Sequence, residues 1–206
     1  MKKIILTVAA VFALTFANAQ DTKESTGEGF SNGDLYLSGT AGFSSTKQGD
    51  FKTDSFTVAP GIGYFISDNL AIEAKLNITS GTDYVDIFGD GDLYEVKSSG
   101  FGFAAGVKYY WTPASKFSLS LGANVSYDSV KGEVTGFPGD STSKIIGINV
   151  PLGLNYFVSN DFALTAGWGG FGYSSNDNGG DGAEKTTGFN LGLDMSDLSI
   201  GLLYKL

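Results

Sequence analysis

The chain has 206 residues, with 13 basic and 22 acidic side chains and a formal net charge of −9. This acidic balance disfavours nucleic acid as a partner. His and Cys are absent, which removes Ser-His-Asp, Cys-His and His-metal chemistry. The length is typical of one domain. We therefore predict no enzyme activity, no cofactor, no metal ion and no disulfide framework.

Residues 1–19 are a predicted secretory signal peptide. Lys2 and Lys3 precede an apolar run over 4–16, and small residues at 17–19 form a cleavage site. The run is too short to cross a bilayer as a helix, which takes roughly 20 residues. Cleavage would change the net charge from −9 to −11, because both lysines leave with the peptide. Residues 20–30 would then form a short segment ahead of the first strand.

Residues 31–206 show an alternation that predicts β-strands. Between 117 and 128, apolar side chains occupy the odd positions, and Ser, Gly, Asn and Asp occupy the even positions. The same pattern is present over 70–79 and 102–111, where every charged side chain lies on the small polar face. A period of two indicates strands, because successive side chains point to opposite faces.

Short turns divide this region into predicted hairpins. Residues 61–72 and 153–164 are copies of one unit, in which a strand ends in Tyr-Phe, a Ser-Asx-Asx turn follows and a new strand begins. Residues 112–116 form a third short connection. The resulting hairpins cover 31–66, 70–111, 117–158 and 162–206.

Each predicted hairpin has a Gly- and Asp-rich centre, which is typical of a loop. These centres are residues 48–50, 89–92, 137–140 and 179–182. Four hairpins give eight strands, with short turns at one end and long loops at the other. The sequence therefore predicts an all-β, eight-stranded antiparallel up-and-down barrel over residues 31–206.

The polar face indicates that this barrel is transmembrane. A soluble lipocalin-like barrel also alternates, but with a charged exterior. Here the polar face is mainly Gly, Ser, Ala and Asn, which are small enough to fill a narrow lumen, so the apolar face points outward to lipid. Aromatic residues beside the short turns are expected to form an interfacial girdle. They are Tyr64, Tyr109, Trp111, Phe117, Tyr156, Phe162 and Tyr204.

The last predicted strand is irregular. Its bulky apolar residues are odd-numbered over 189–195 and even-numbered over 198–206. The phase changes at Ser196-Asp197, where either a bulge inserts one residue into a single strand or a two-residue turn begins a ninth strand. We expect the bulge, because single-chain bacterial barrels have an even number of strands.

Three charged residues fall inside the predicted lumen. If residue numbers paired across the 70–111 hairpin sum to 181, Glu73 lies directly opposite Lys108, with Lys75 one step along the same face. We predict an ion pair that plugs the lower lumen. These charges either satisfy one another inside a filled barrel or select ions. We favour the first, because eight strands leave an interior just wide enough for side chains, and we expect no wide pore.

Two further motifs are interpreted structurally. Gly100–Gly106 imitates a dinucleotide-binding fingerprint, but it continues as one strand instead of opening a helix. Asp86, Asp90, Asp92 and Glu95 could offer oxygen ligands to calcium, but they lack EF-hand spacing. We interpret the glycines as lumen-facing and the acids as solvated loop residues.

The chain resembles the eight-stranded outer-membrane β-barrel family typified by OmpX and the OmpA transmembrane domain, in particular its porin-like branch. The resemblance rests on the signal peptide, the Gly-Asp-Leu-Tyr-Leu strand at 33–37, the repeated Tyr-Phe turns and the strand over 201–206, although Leu206 stands where such families usually end in Phe. It implies the outer membrane of a Gram-negative bacterium, lipopolysaccharide as surroundings, and recognition of the last strand by the barrel-assembly machinery. Residues 20–30 would be periplasmic.

The function expected from these features is a structural or surface-interaction role, similar to adhesion. Acidic loops would face outside, and exposed strand edges could recruit an extracellular protein or surface partner by strand addition. The alternative is a narrow channel for ions or small solutes, which requires a continuous wet lumen past Glu73 and Lys108. A soluble ligand-binding barrel is a third, less favoured interpretation.

Overall fold

The computed structural model describes residues 29–49, 51–86, 91–179, 182–192 and 199–206. The predicted signal peptide and the predicted N-terminal segment up to residue 28 lie outside them. No helix in the described part of the chain is long and apolar enough to cross a membrane. The strands are β1 (Leu35–Gln48), β2 (Phe51–Phe65), β3 (Leu70–Val85), β4 (Tyr94–Tyr110), β5 (Phe117–Val134), β6 (Ser141–Phe157), β7 (Phe162–Asn176), β8 (Thr186–Gly192) and β9 (Ser199–Lys205).

These strands form one antiparallel barrel. From β1 to β7, each strand pairs with the next in sequence, and β7 pairs with both β8 and β9. The barrel closes because β9 also pairs with β1, between Tyr36 and Thr40. β8 and β9 share the eighth position in the wall, since they lie along different halves of β7. The predicted eight-stranded up-and-down barrel is confirmed.

The eighth position is one interrupted strand. The pairs Gly170↔Gly192 and Gly167↔Ser199 show that three steps along β7 correspond to seven steps along the last strand. β8 and β9 do not pair with each other, so a ninth neighbouring strand does not form. The phase change at Ser196-Asp197, and with it the expected bulge, lies outside the described residues.

The predicted hairpins agree with the observed strands, and the repeated turn is the same structure twice. The Ile66 N–H donates to the Leu70 carbonyl at 2.9 Å, and the Val158 N–H donates to the Phe162 carbonyl at 2.9 Å. Equivalent residues of the two copies therefore close equivalent turns. Gly100–Gly106 lies inside β4, as predicted for a strand.

The predicted register of the second hairpin is wrong by two. Paired residues of β3 and β4 have numbers that sum to 179, as in Leu70↔Tyr109 and Glu73↔Gly106. The register is fixed beside the short turns, where the Tyr110 N–H donates to the Asn69 carbonyl at 2.8 Å and the Asn69 side-chain amide donates to the Tyr110 carbonyl at 2.7 Å. The assumed sum of 181 for the 70–111 hairpin is therefore replaced by 179.

Away from the short-turn end of the lumen, the large apolar side chains face outward, as predicted. Along β3 and β4, Ile72, Leu76, Phe103 and Val107 are all exposed, while their neighbours in sequence point into the barrel. The aromatic girdle beside the short turns is exposed at five positions: Tyr64, Tyr109, Trp111, Phe117 and Tyr156. This apolar exterior with a small, polar lumen is the pattern of a transmembrane barrel.

Candidate functional site

Five aromatic side chains close the lumen at the short-turn end. The Phe30 ring lies at their centre, 4.6 Å from Phe65, 4.9 Å from Phe157, 5.1 Å from Tyr110 and 5.5 Å from Tyr36, measured between ring centroids. Each of the five is at most 1% exposed. Rings at these separations are in direct contact. We call these five residues the aromatic plug.

Each Tyr-Phe dipeptide contributes one residue to the exterior girdle and one residue to the plug. Because neighbouring strand residues point to opposite faces, Tyr64 and Tyr156 face outward with 43% exposure, while Phe65 and Phe157 face inward with 0% exposure. Sequence reasoning assigned the first aromatic of each pair to the girdle and missed the second. The sequence does carry a signal for the plug: Phe65 and Phe157 are bulky residues at strand ends, in positions whose side chains alternate into the lumen.

Phe30 comes from the segment that the sequence places ahead of the barrel. Its N–H donates to the Pro113 carbonyl at 2.7 Å, and the Lys205 ammonium donates to the Gly29 carbonyl at 2.9 Å. Lys205 is buried, and its Nζ lies 4.0 Å from the Asp34 carboxylate. Residues 29 and 30 are therefore buried in the barrel end, and their hydrogen bonds join them to both β9 and the turn between β4 and β5.

The three charged residues predicted for the lumen lie against the plug and contact one another. Lys108 Nζ is 2.8 Å from Glu73 Oε1, and Lys75 Nζ is 3.4 Å from Glu73 Oε2. The Tyr36 hydroxyl donates to Glu73 Oε1 at 2.6 Å and lies 3.3 Å from the Tyr110 hydroxyl. We call Glu73, Lys75 and Lys108 the charged cluster. It is hydrogen-bonded to the plug through Tyr36.

The charged cluster is largely shielded from water. The side chains of Glu73 and Lys108 are 11% and 17% exposed, whereas Lys75 is 40% exposed. A buried ion pair is tolerated only when hydrogen bonds satisfy its charges, and both lysines and Tyr36 satisfy Glu73 here. Two lysines against one carboxylate leave a formal charge of +1 on the charged cluster, and Lys75 is its most exposed member.

Little free space remains beside the charged cluster. A cavity of about 20 Å³ is bounded by the cluster, Asn124 and Pro151, which is room for roughly one water molecule. Farther toward the long loops, the Asn77 amide donates to the Asp128 carboxylate at 3.1 Å. This hydrogen bond joins β3 to β5 over Gly102 of β4.

Glycines leave space for the side chains that fill the lumen. Tyr36 pairs with Gly63 across β1 and β2, and a Cβ at Gly63 would lie 2.1 Å from Tyr36 Cζ. On β4, a Cβ at Gly106 would lie 2.1 Å from the Ala123 carbonyl oxygen. Residues with a Cβ cannot occupy these positions without displacing their neighbours, so the glycine-rich motif of β4 serves packing.

At the long-loop end, Glu95 is the centre of an exposed network. Its carboxylate accepts hydrogen bonds from the Tyr84 hydroxyl at 3.1 Å and the Thr135 hydroxyl at 2.8 Å, and it lies 2.9 Å from Lys97 Nζ. The hydrogen bond from Lys97 is the main cause that lowers the pKa of Glu95, followed by those from Thr135 and Tyr84. This carboxylate is therefore engaged by residues of β3, β4 and the loop after β5.

The other acids considered for calcium do not gather around one point. Asp86 accepts the Gly91 N–H at 3.1 Å, and Asp90 lies outside the described residues. Within the residues that the structure describes, no group of three or more acidic side chains could hold a metal ion.

Comparison with known proteins gives one family match. A family model described as "Outer membrane protein beta-barrel domain" matches residues 6–196. No curated protein matches the chain.

Solved structures with a similar shape are distant in sequence. Neisserial surface protein A is 22% identical, with 84% of this chain and 96% of that chain covered and a TM-score of 0.47. OprG from Pseudomonas aeruginosa is 18% identical, with coverage of 86% and 98% and a TM-score of 0.49. Ail, the attachment invasion locus protein of Yersinia pestis, is 13% identical, with coverage of 85% and 99% and a TM-score of 0.48.

Proposed function

Because the chain belongs to the outer membrane protein beta-barrel domain family, we propose that it is a non-conducting barrel that acts through its long-loop end at the cell surface. The protein sits in the lipid bilayer of the bacterial outer membrane. In such barrels the short turns are periplasmic and the longer loops are extracellular. The aromatic plug, which blocks the periplasmic end of the lumen, is the observation that carries this proposal.

The length of the strands supports a surface role. A transmembrane β-strand takes roughly 9–11 residues, whereas β3 to β6 have 16, 17, 18 and 17 residues. These strands begin or end at the aromatic girdle, so their extra length projects from the outer face. The projecting part is polar: Lys131 Nζ lies 2.7 Å from Glu133 and 2.6 Å from Asp140.

The partners proposed for this barrel follow from its surfaces. The bilayer around it would include lipopolysaccharide, and the barrel-assembly machinery would recognise β9. An extracellular protein or surface would contact the loops, whose acidity disfavours anionic surfaces unless divalent cations bridge them. We assign the chain no catalytic role, no cofactor and no nucleic-acid partner.

Single-channel conductance in planar bilayers tests the closed lumen. We expect no discrete openings from the wild-type protein, and none from the double variant Glu73→Ala, Lys108→Ala, because the aromatic plug remains. Heat-modifiable gel migration verifies that each sample is folded. Discrete openings in the folded wild-type protein would contradict the proposal.

A narrow channel is the second candidate, and the water-sized cavity beside the charged cluster favours it. In that case the wild-type protein would conduct, the double variant would enlarge the openings, and the excess positive charge of the charged cluster would favour anions. Lys75→Glu should then shift the reversal potential toward cation selectivity. Folded but silent wild-type protein excludes this candidate.

Adhesion tests the surface role separately. Cells that display the wild-type barrel should bind protein-coated surfaces more than cells that display a variant with residues 135–140 shortened to a two-residue turn. Equal binding by both strains, at equal surface expression, would remove this loop from the proposed function.

A further inference from the structure

Five lysines face outward at one level of the barrel wall, toward the long-loop end. Each lies 12–14 positions along its strand from the residue at the short-turn end, and the strands of a barrel tilt alike, so the five stand at nearly the same height. They occupy the strand phase that carries the exposed apolar side chains, as Lys144 does two positions from Ile146. We call the five the lysine belt: Lys47, Lys52, Lys97, Lys131 and Lys144.

The lysine belt follows the outer limit of the apolar exterior. On four strands, the outward positions toward the long loops carry an aromatic residue, then Ser or Asp, then Lys. These triplets are Phe43, Ser45 and Lys47; Phe56, Asp54 and Lys52; Phe101, Ser99 and Lys97; and Tyr127, Ser129 and Lys131. On β6, Lys144 follows Ile146 directly in the outward phase. The same order on five strands marks one level at which the lipid-facing surface ends.

This level coincides with the lipid headgroups of the outer leaflet. About 13 positions at ~3.4 Å per residue and a tilt of ~40° give a height of roughly 34 Å above the short-turn ends. The apolar band of such a barrel is ~25 Å tall, and a bilayer with its headgroups measures roughly 40–45 Å. The lysine side chains therefore begin a few ångströms above the hydrocarbon, where long basic side chains extend into the headgroup layer.

Two lysines of the belt are placed directly opposite each other. Lys47 pairs with Lys52 across β1 and β2, and like charges at directly opposed positions destabilise a sheet. On β5 and β6, Lys131 pairs with Thr142 and Lys144 pairs with Ser129, which makes these two lysines diagonal neighbours about 7–8 Å apart. A phosphate between two ammonium groups would offset their repulsion, because its oxygens accept charge-assisted hydrogen bonds from both.

The acids that pair with the belt lie on the side away from the membrane. Glu95 is two positions farther from the short turns than Lys97, which it contacts at 2.9 Å. Glu133 stands in the same relation to Lys131, at 2.7 Å. An anion held within the outer leaflet therefore meets these lysines before it meets their carboxylates.

We propose that the lysine belt binds the phosphate groups of a phosphorylated glycolipid in the outer leaflet, with Lys47 and Lys52 as the principal site. The height of the belt favours a phosphate carried by a lipid over a free phosphate ion, because the lipid holds its phosphate at this level. Bound headgroups around the wall would fix the depth of the barrel in the membrane. This inference rests on the outer-membrane location and not on the proposed surface role.

Unfolding in two lipid mixtures tests the principal site. In vesicles of zwitterionic lipid alone, Lys52→Gln should raise the urea midpoint, because it removes the repulsion from Lys47. In vesicles that also contain bisphosphorylated lipid A, the same substitution should lower the midpoint, because it removes a phosphate contact. A midpoint shift of the same sign in both mixtures would overturn the proposal, since it would reflect charge balance within the sheet alone.

Native mass spectrometry of the folded barrel in zwitterionic detergent measures the headgroup preference. Wild-type protein should retain bisphosphorylated lipid A at least roughly tenfold better than the same glycolipid without phosphates, because one hydrogen bond to a charged group contributes about that factor. The double variant Lys47→Gln, Lys52→Gln should lose most of this preference. Lys116→Glu is the matched control, because it changes the formal charge by the same amount in the turn before β5, at the opposite end of the barrel.

The outcomes separate a lipid site from its alternatives. Heat-modifiable gel migration verifies that each sample is folded, and Lys144→Gln should lower the preference less than the double variant does. Equal retention of both glycolipids by wild-type protein would overturn the proposal and leave the belt as a general interfacial anchor. A preference that excess inorganic phosphate abolishes would assign the lysines to free phosphate and would also overturn it. Neither measurement involves conductance or adhesion, so the proposed function is tested independently.

Discussion

The short-turn end and the long-loop end of the barrel differ in what their inward positions carry. At the short-turn end these positions are aromatic, buried and tied to the N-terminal segment through Phe30. At the long-loop end they are small or polar, as at Asn77 and Asp128, and β8 is exposed throughout. The alternation is the same at both ends. The size of the inward residue therefore decides whether the lumen is closed, and the alternation decides only which side faces lipid.

This comparison also predicts where the barrel is stable. Buried contacts and shielded hydrogen bonds give the highest resistance to local opening, and both are concentrated around the aromatic plug and the charged cluster. The long-loop end has exposed ion pairs instead. Substitutions should therefore have large effects near the short turns and small effects near the loops.

Phe30→Ala should have the largest effect. The ring contacts four aromatic neighbours and is 1% exposed, and removing a buried Phe costs about 3–5 kcal/mol of unfolding free energy. Urea titration of the barrel in lipid vesicles, followed by tryptophan fluorescence, measures the change. Phe137→Ala is the matched control, because Phe137 packs edge-on against Tyr94 at 5.5 Å but is 45% exposed. Equal losses from both variants would contradict the comparison.

Glu73→Gln should have the next largest effect. It leaves Lys108 and Lys75 without their counter-ion, and breaking a buried pair costs about 3 kcal/mol at the low end of the usual range. Adding Lys108→Met should recover part of the loss, which a double-mutant cycle measures as non-additivity. Glu95→Gln, in the exposed pair with Lys97, should change the urea midpoint little. Additive losses at Glu73 and Lys108 would show that their contact is not stabilising.

Much of the fold was predictable because it depends on local pattern. Short stretches of sequence are enough to predict the period of two, the repeated Tyr-Phe turns and the outward aromatic girdle. The register of β3 and β4 was missed by two, because the Asn69 contacts with Tyr110 fix it. Phe30 was missed because a single aromatic outside any periodic stretch gives no sign of its distant contacts.

Gly63→Ala should have an intermediate effect. The added methyl group would collide with the Tyr36 ring, and overpacking of this kind costs about 1–3 kcal/mol. Gly39→Ala, on the neighbouring strand, is the matched control, because no heavy atom lies within 4 Å of the added Cβ. Urea midpoints of the two variants provide the measurement. A loss confined to Gly39→Ala would show that Tyr36 does not pack across Gly63.

The smallest effect should be a pH dependence confined to the loop after β7. Hydrogen bonds from the backbone N–H groups of Lys144, at 2.7 Å, and Gly179, at 3.1 Å, lower the pKa of Asp177. A carboxyl whose folded pKa is lowered stabilises the fold above its unfolded pKa and loses that contribution as the pH falls through the lowered value. NMR titration of the Asp177 carboxyl carbon should therefore show a midpoint below that of an ordinary Asp, and the Lys144 amide should follow it.

Asp177→Asn provides the control for this titration. An amide cannot titrate, so the Lys144 amide signal should lose its acidic transition while the signals of the aromatic plug remain unchanged. An acidic transition that persists in the variant would assign the pH dependence to another group. A simultaneous change at the plug would show that the two ends of the barrel are energetically coupled, contrary to the separation inferred from their packing.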